Sequence, residues 1–274
     1  MFEKVNPSHP DKLADRIGGA IVDLGYRIQK NPKIAGECLI GHGDCHIIIE
    51  TSVPYEEKDI RDIVNRISDS EVKLSLKIVP QDVYLAANQN EEIRCGDNGI
   101  FKGCRVNDEE ERLTKIVKEL YSENPKDGKF IYDDKTSTFI ACQSHIETNI
   151  LKEKLSKYNF KNLIVNPLGD WTGGVNVDTG ATNRKLGSDM GRGVTGGGLH
   201  FKDISKSDVS VNIYLHKLTN EKNIGELTCK CAIGDKSLYI NGEDISFKKI
   251  TDEAYEYIQG IGGFEKLAEW GLIR

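Results

Sequence analysis

Apolar residues recur at helical spacing directly after Ser8-His9-Pro10-Asp11. These residues are Leu13, Ile17, Ile21 and Leu24. A serine followed by a proline and then by an acidic residue is typical of a helix start, and the spacing from Ser8 to Asp11 resembles a capping box. The pattern therefore predicts a long amphipathic helix that begins near residue 10.

Runs of β-branched and alternating residues predict strands between further helices. Residues 45–53 form a β-branched run, and in residues 72–78 apolar and polar side chains alternate as in a half-buried strand. Further helices are predicted at 57–69, 108–121 and 146–158, and further strands at 136–142 and 161–165. The order strand, helix, strand recurs along the chain.

The pattern is weaker beyond residue 165. Residues 166–198 are rich in glycine and show little periodicity, so we predict loops and turns there, and long loops inside a domain are usually functional. Residues 208–218 fit either a helix or a strand. A strand at 226–233, a hairpin at Asn241-Gly242 and a closing helix from Thr251 complete the pattern. Together these elements predict an α+β fold in which helices cover one face of mixed sheets.

Composition and charge narrow the class of protein. The chain has 274 residues, 37 of them basic and 43 acidic, for a net charge of −6, which argues against broad electrostatic binding of nucleic acid or membranes. Neither an apolar run of about 18 residues nor a signal-peptide pattern occurs, so we expect a cytoplasmic protein. The seven cysteines include no C-x-x-C pair and are expected to be reduced thiols.

Cations and carboxylates occur together in several separate loops. The carboxylates are Asp11, Asp97, Asp178 and Asp208; the cations are Lys12, Lys135, Arg184, Lys185, Lys202 and Lys206, with His9 beside them. Converging cations suit a ligand of the size of triphosphate, and adjacent carboxylates suit Mg²⁺ bound with phosphate. The two commonest phosphate-binding glycine motifs are absent from the sequence, so a nucleotide site here is of another kind. Residues 42–46 hold zinc-type ligands, although a turn entering a strand explains them better.

The order of these motifs resembles that of the S-adenosylmethionine synthetase (methionine adenosyltransferase) family. The family's G-H-P-D-K-[IL]-[AC]-D appears here as residues 8–15, and its G-D-Q-G as Gly96-Asp97-Asn98-Gly99. Its P-D-[GA]-K-[ST]-Q-V resembles residues 132–138. The long run N-P-[ST]-G-R-F, G-D-x-G-L-T-G-R-K, G-G-G and G-K-D-x-[ST]-K-V-D resembles residues 166–208. Agreement in order across nearly the whole chain makes a chance resemblance improbable.

The resemblance implies a set of site residues. Catalytic roles fall to His9, Lys135, Arg184, Lys185 and Lys202, and ATP contacts also to Asp133, Asp170, Trp171 and Asp178. Methionine contacts fall to Glu50, Gln81, Asp97, Asp178 and Lys206. The implied metal ligands are Asp11 and Asp208 for Mg²⁺ and Glu37 for K⁺. Gln81 would open a lid loop that runs through Asn88-Gln89-Asn90.

The resemblance also implies a reaction and an assembly. Methionine sulfur would attack C5′ of ATP, and the triphosphate would then be hydrolysed to pyrophosphate and phosphate. The partners would be ATP, L-methionine and a second copy of the chain, with the site at the interface of a homodimer. The implied fold has three related α+β units in a pseudo-threefold arrangement, which we place at residues 1–105, 106–165 and 166–274, discontinuous in space.

The chain also departs from the family, which is usually about a third longer. Asp170 replaces an arginine, Asn98 and Ser137 replace glutamines, and Leu199-His200-Phe201 is one residue short. One alternative is therefore a degenerate homologue that binds ATP or cleaves triphosphate without forming the sulfonium. Another is a non-catalytic scaffold, which would have no need of the retained cations and carboxylates.

Overall fold

In the computed structural model, which describes residues 1–89 and 92–274, the strands form two four-stranded sheets and two antiparallel ribbons. The strands are β1 Phe2–Val5, β2 Ile34–Gly41, β3 Asp44–Thr51, β4 Lys73–Val79, β5 Gly99–Cys104, β6 Gly128–Asp133, β7 Thr138–Gln143, β8 Asn162–Val165, β9 Thr179–Ala181, β10 Glu226–Cys231, β11 Ser237–Ile240 and β12 Glu243–Ser246. The helices are α1 Pro10–Ile28, α2 Glu57–Ser68, α3 Val83–Asn88, α4 Asp108–Glu123, α5 Thr148–Ser156, α6 Leu186–Met190, α7 Ser207–Glu221, α8 Phe247–Gly260 and α9 Phe264–Trp270. The predicted α+β class with mixed sheets is confirmed.

One four-stranded sheet has the order β4-β3-β2-β9 and lies under α1 and α2. Only the β3–β4 pair is parallel among its described strands. Along β3 buried and exposed residues alternate strictly, so one face packs on the helices and the other faces outward. Ile17 and Ile21 of α1 and Ile47 and Ile49 of β3 belong to the same buried cluster.

The other elements form two further layers of the same kind. The second four-stranded sheet, in the order β1-β6-β7-β8, shares a core with α4 and α5. The two ribbons, β10-β5 and β11-β12, share a third core with α7 and α8. Strands distant in sequence therefore complete each layer, such as β1 beside β6 and β5 beside β10. The pseudo-threefold relation between the layers and the division at residues 105 and 165 stay predictions.

Helix α1 begins where the sequence predicts, but a different residue caps it. His9 is the N-cap, and its Nδ1 accepts a hydrogen bond from the backbone N–H of Asp11 at 3.2 Å. The Ser8 hydroxyl donates instead to the carbonyl of Pro125 at 3.0 Å. The predicted Ser8–Asp11 capping box is therefore wrong, because Ser8 lies one residue outside the cap and is engaged by a neighbouring segment.

Residues 208–218, whose period was ambiguous, form most of helix α7. Val209, Val211, Ile213 and Leu215 are all fully buried. Alternating apolar residues normally indicate a strand, but here β5 covers one side of the helix and α8 another, so residues on nearly every face from Val209 to Leu215 are buried. A helix buried all round loses the polar stripe from which its period is read.

The other elements agree in part with the predictions. The hairpin is confirmed, since Asn241 and Gly242 both have positive φ and connect β11 to β12. The glycine-rich stretch is mostly loop but also contains β9 and α6, and the closing helix begins at Phe247 rather than at Thr251. Asn90, at the end of the expected lid loop, lies outside the described residues. None of the helices in the described ranges is long and apolar enough to cross a membrane.

A buried lysine fastens the first strand to the last residues of the chain. The Lys4 ammonium is fully buried and donates to the carbonyls of Ser188, Trp270 and Ile273 at 2.9, 2.8 and 2.6 Å. Burial lowers the pKa of Lys4 to about 7. Three acceptors for three N–H donors satisfy the charged form, and removal of Lys4 would leave three buried carbonyls without these bonds.

We predict that Lys4→Met lowers the free energy of unfolding by about 2–4 kcal/mol, because the side chain keeps its volume but loses every donor. Urea unfolding followed by circular dichroism measures the change. Lys152→Met, at an exposed position on α5, is the matched control and is expected to change stability by less than about 0.5 kcal/mol. Equal effects of the two substitutions would contradict the fastening role of Lys4.

Candidate active site

The start of α1 holds a compact group of charges that we call the α1 cluster, formed by His9, Asp11, Arg184 and Lys185. Lys185 Nζ donates to Asp11 Oδ2 at 2.6 Å, and Arg184 NH1 lies 3.6 Å from Asp11 Oδ1. The Arg184 side chain is 58% exposed, whereas that of Asp11 is only 3% exposed. The cluster is thus anchored by a buried carboxylate and presents a cation to the surface.

Strand β9 brings the two halves of the α1 cluster together. The backbone N–H of Ala181 donates to Asp11 Oδ1 at 2.9 Å. A Cβ on Gly180 would lie 2.0 Å from the carbonyl group of Pro10, so only glycine lets the strand approach the helix start this closely. Arg184 and Lys185 follow β9 by three and four residues and are held beside Asp11 for that reason.

The electrostatics of the cluster define the state of its histidine. Burial, with the positive charge of Lys185 as the next cause, lowers the pKa of His9 to about 4. His9 is therefore neutral at pH 7, and because Nδ1 accepts the N–H of Asp11, its proton is on Nε2. Although burial opposes its ionisation, hydrogen bonds from Lys185 and Ala181 hold the pKa of Asp11 below its usual value. The site thus contains a neutral N–H donor beside an ionised carboxylate.

Asp127 is a buried carboxyl group that the sequence did not single out. It accepts the backbone N–H of Gly174 at 2.9 Å, and it interacts electrostatically with Asp178, Asp11 and Lys185. Burial, assisted by the two neighbouring carboxylates, raises the pKa of Asp127 to about 6. Such a carboxyl group beside other titratable side chains is a common feature of functional sites.

A second group of charges, which we call the α7 cluster, lies at the start of α7 and consists of Lys202, Lys206 and Asp208. Lys202 Nζ donates to Asp208 Oδ2 at 3.1 Å, and Lys206 is the N-cap residue of the helix. Gly197 has φ of +82°, and a Cβ there would lie 2.2 Å from Asp208 Oδ1. Asp97 is adjacent, since its carbonyl accepts the Ser207 hydroxyl at 3.4 Å.

Asn183 joins the segments that carry the two clusters. Its side-chain oxygen accepts the backbone N–H groups of Leu199 and His200, both at 2.9 Å. Its own backbone N–H donates to Asp15 of α1 at 2.8 Å. Asn183 therefore ties the segment before Arg184 to the segment before Lys202, so that the cations of the two clusters lie on one framework.

Lys135 and Asp133 lie elsewhere. They are at the turn after β6, where Lys135 is exposed and lines a cleft of about 490 Å³ with Met1, Arg105 and Arg192. The six residues of β6 separate the turn from Asp127 by about 20 Å. Within one chain, Lys135 therefore lies apart from both clusters, and its contribution to the phosphate site stays a prediction.

Lys129 is the second residue of β6 and lies at the end of the strand where we expected Lys135. The charge of Lys129 is among the causes that lower the pKa of His9, after burial and Lys185. Asp127-Gly128-Lys129 also fits the family's D-[GA]-K, and fits it better than Asp133-Asp134-Lys135 does. That second match was the signal that sequence reasoning missed.

Asp170 and Trp171 lie on a loop beside an apolar cleft of about 360 Å³, which Pro167, Leu168 and Cys142 also line. Asp170 Oδ1 accepts the backbone N–H and the hydroxyl of Thr148, at 2.8 and 2.6 Å. Both bonds lower the pKa of Asp170, and the bond from the Thr148 hydroxyl is the larger cause. Trp171 is 37% exposed, and its indole N–H donates to Asn166 Oδ1 at 3.3 Å.

The remaining predicted residues lie on or near the first sheet. Glu37 and Glu50 are exposed on its outward face, on β2 and β3. The Glu37 carboxylate accepts the hydroxyl of Thr182, next to Asn183. Gln81 lies between β4 and α3, and Asp178 is exposed just before β9. No contact that the structure describes joins Glu50 or Gln81 to the two clusters.

The side chains present fit Mg²⁺ better at the two clusters than at the buried triad. Asp11 and Asp208 supply hard oxygen donors beside lysines that suit phosphate, which is the donor set of Mg²⁺–phosphate sites. Asp15, Asp189 and His200 are also close together. There, however, the Lys12 ammonium already contacts both oxygens of Asp189 at 2.8 Å, so a cation fills the triad.

Comparisons with known proteins agree with the motifs. The chain is 27% identical to the S-adenosylmethionine synthase of Mycoplasma mycoides subsp. mycoides, with 76% of this chain and 68% of the relative aligned. It is also 27% identical to the S-adenosylmethionine synthases of Salinibacter ruber, over 76% of this chain and 69% of the relative, and of Fusobacterium nucleatum, over 84% and 74%. The resemblance to S-adenosylmethionine synthetases is confirmed.

A solved structure shows the same fold. An S-adenosylmethionine synthetase from Campylobacter jejuni, described as unusual, superposes with a TM-score of 0.71 over 99% of this chain and 94% of the other. Its sequence identity to this chain is 18%, so the likeness concerns the fold alone. No protein-family model matches the sequence.

The pKa of Asp127 leads to a prediction about stability. Because its pKa is about 6 in the fold against an ordinary value of 3.8, the unfolded chain releases this proton first, and stability is lost as pH rises from about 4 to 6. We predict that Asp127→Asn removes up to about 3 kcal/mol of this loss at pH 7 and has little effect at pH 4. Urea unfolding of the wild type and of Asp127→Asn at both pH values measures this change in the free energy of unfolding, and the exposed Asp62→Asn is the control. The same change at pH 4 and at pH 7 would contradict the raised pKa of Asp127.

Proposed function

We propose that the protein synthesises S-adenosylmethionine from ATP and methionine and then hydrolyses the triphosphate to pyrophosphate and phosphate. The observation that carries the proposal is the α1 cluster, in which a neutral histidine, an ionised carboxylate and two cations converge at a helix start. Helix starts favour anions, and these side chains are those that the family resemblance assigns to the phosphate end of ATP. The names of the relatives support the same reaction.

The proposed chemistry needs alignment and charge stabilisation rather than a strong base. Thioether sulfur is a good neutral nucleophile, so the protein has only to place it in line with C5′ and to stabilise the leaving triphosphate. His9 would donate a hydrogen bond from its Nε2–H to the oxygen that leaves C5′. Arg184, Lys185 and Lys202 would bind the phosphate oxygens.

We assign the further phosphate contact to Lys129 and Asp127, in place of Lys135 and Asp133. Lys129 is 44% exposed and paired with Glu3 at 3.0 Å, an ion pair that an anion can displace. Asp127, whose pKa is raised to about 6, is suited to exchange a proton near the phosphates at a pH close to neutral. Lys135 would reach substrate only at a site completed by a second chain.

Methionine would bind on the side of the α7 cluster. Lys206 would pair with its carboxylate, and Asp97 and Asp178 with its ammonium group. Glu50 and Gln81 remain proposed methionine contacts, and Trp171 a proposed stacking partner of adenine. Asp170 is occupied by Thr148, so its hydrogen bond to adenine also remains a proposal.

Mg²⁺ and K⁺ are the proposed cofactors. Asp11 and Asp208 would hold Mg²⁺, which neutralises charge on a triphosphate when it is bound. Lys185 and Lys202 form ion pairs with these carboxylates. Glu37, which already accepts one hydroxyl, would supply a carboxylate oxygen to K⁺.

We infer that the chain works as a homodimer of three-unit subunits. Outward apolar side chains on the sheets support this, among them Leu39 at 45%, Ile48 at 54% and Ile100 at 69% exposure. Burial of such side chains against a second copy is favourable. Sites completed by the partner would also explain the distance of Lys135 and Glu50 from the clusters.

Incubation with ATP, methionine, Mg²⁺ and K⁺ tests the proposal directly. Chromatography is expected to show S-adenosylmethionine, with pyrophosphate and phosphate in equal amounts. Consumption of ATP without the sulfonium would favour a degenerate homologue that retains only triphosphate chemistry. Failure to bind any nucleotide in calorimetry would favour a scaffold.

His9 provides the sharpest test of the chemistry. We predict that His9→Ala slows S-adenosylmethionine formation by at least about 100-fold, because it removes a donor aimed at the charge that develops on the leaving oxygen. His9→Asn retains a helix-capping side chain and is expected to be almost as slow. His42→Asn, at an exposed turn position with φ of +52°, is the control that leaves the rate unchanged. A normal rate in His9→Ala would refute the role.

Lys129 and Lys135 form a matched pair. We predict that Lys129→Met lowers kcat/KM for ATP by about 10- to 100-fold, the effect of one charge-assisted hydrogen bond. Lys135→Met is expected to have less than about a 3-fold effect if Lys129 is the phosphate residue. Steady-state kinetics at varied ATP concentration measures both variants. A larger loss of kcat/KM in Lys135→Met than in Lys129→Met would restore the phosphate role to Lys135.

A further inference from the structure

Two cysteines converge on one carbonyl oxygen next to the α7 cluster. Cys95 Sγ donates to the carbonyl of Asp97 at 3.0 Å, and Cys231 Sγ donates to the same oxygen at 3.3 Å. The two thiols are therefore neighbours, and each alters the pKa of the other. Cys95 lies in the loop before β5 and Cys231 ends β10, so a bond between them would join two segments distant in sequence.

The two thiols differ in acidity. The hydrogen bond from Cys231, with further help from Ser207, lowers the pKa of Cys95 to about 7 despite burial. The same hydrogen bond to Cys95, together with burial, raises the pKa of Cys231. A thiolate beside a retained thiol is the combination that reacts with oxidants and then closes a disulfide.

We propose that Cys95 and Cys231 are a modification site that forms a reversible disulfide on exposure to hydrogen peroxide. The Cys95 thiolate attacks one peroxide oxygen, the O–O bond breaks, and Cys95 sulfenic acid and hydroxide form. The Cys231 thiol then attacks the sulfenic sulfur, the S–S bond forms and water leaves. Overall, two thiols and one peroxide give one disulfide and two waters. Cys95 itself is fully buried, so a molecule as small as peroxide would reach it past Cys231, which is 9% exposed.

A second cysteine pair shows why proximity alone does not decide the reaction. Cys38 and Cys45 have their sulfur atoms 3.8 Å apart on neighbouring strands. Both are buried in the main core, and the hydrogen bond to Cys45, with burial, raises the pKa of Cys38 well above its usual value. The Cys38 thiol therefore stays protonated, and the pair serves as an internal control.

The position of Cys95 gives the disulfide a consequence. The Cys95 carbonyl accepts the side-chain N–H of Asn88 at 3.0 Å, and its backbone N–H donates to Asp235 at 2.9 Å. Cys95 therefore lies between α3 and Asp97, a proposed methionine residue. A disulfide to Cys231 would attach this segment between α3 and Asp97 to β10. This consequence rests on the proposed function, whereas formation of the disulfide does not.

Peptide mapping tests the site without reference to activity. Trypsin cleavage places Cys95 in residues 95–102, Cys231 in 231–236 and Cys229 in 223–230, while Cys38 and Cys45 share residues 34–58. After mild peroxide treatment, mass spectrometry without reduction is expected to show residues 95–102 linked to 231–236, and dithiothreitol is expected to release them. Peptide 34–58 is expected to keep both hydrogens of its thiols.

Variants decide between the outcomes. Cys95→Ser and Cys231→Ser abolish the link, whereas Cys104→Ser, at the far end of β5, retains it. A link to 223–230, stable sulfinic acid on Cys95, or faster oxidation of 34–58 would overturn the proposal. For the consequence, peroxide is expected to lower methionine turnover at least 10-fold in wild type, reversibly, and not in Cys231→Ser. A link without this loss refutes the regulation but not the site, and absence of turnover before treatment refutes the proposed function alone.

Discussion

The arrangement of the candidate site depends on one buried ion cluster. The Lys12 ammonium is inaccessible to water and contacts Asp189 at 2.8 Å and Asp15 at 3.2 Å, and His200 lies 2.9 Å from Asp189. Burying such charges is costly, and loss of one partner from a buried pair typically costs 3–5 kcal/mol. The cluster therefore fixes α1 against α6 and the His200 segment. Asp11 precedes Lys12 directly, and Lys185 precedes Asp189 by four residues, so the exposed site inherits its geometry from this core.

The same helix start separates two electrostatic environments. Lys12 and Asp15 point into the core, where their charges neutralise each other, while His9 and Asp11 point toward the candidate site. Preorganised charges of this kind need little rearrangement when a substrate's charge develops. Asp127 shows the cost, because its buried carboxyl group is less stable ionised than it would be in water. A carboxyl group held in this way is consistent with selection for function over stability.

Local signals in the sequence were sufficient for part of this arrangement. Helix α1, the alternation along β4 and the hairpin at Asn241 follow from side-chain periodicity and turn chemistry that neighbouring residues determine. Strands β1 and β9 are only 4 and 3 residues long and are stabilised by partners more than a hundred residues away, so no local pattern reveals them. The cations Arg184 and Lys185 were recognisable from their motif, but their contact with Asp11 depends on Gly180, whose role is visible only in three dimensions.

Motif alignment leaves two possible assignments where two similar triplets flank one strand. Asp127-Gly128-Lys129 and Asp133-Asp134-Lys135 both match the family's pattern, and β6 holds them at its opposite ends. Spacing alone does not choose between them. The choice comes from electrostatics, because only a cation near His9 lowers the pKa of that histidine, and the charge of Lys129 does so. The structure therefore favours Lys129, and the phosphate role of either lysine stays a proposal.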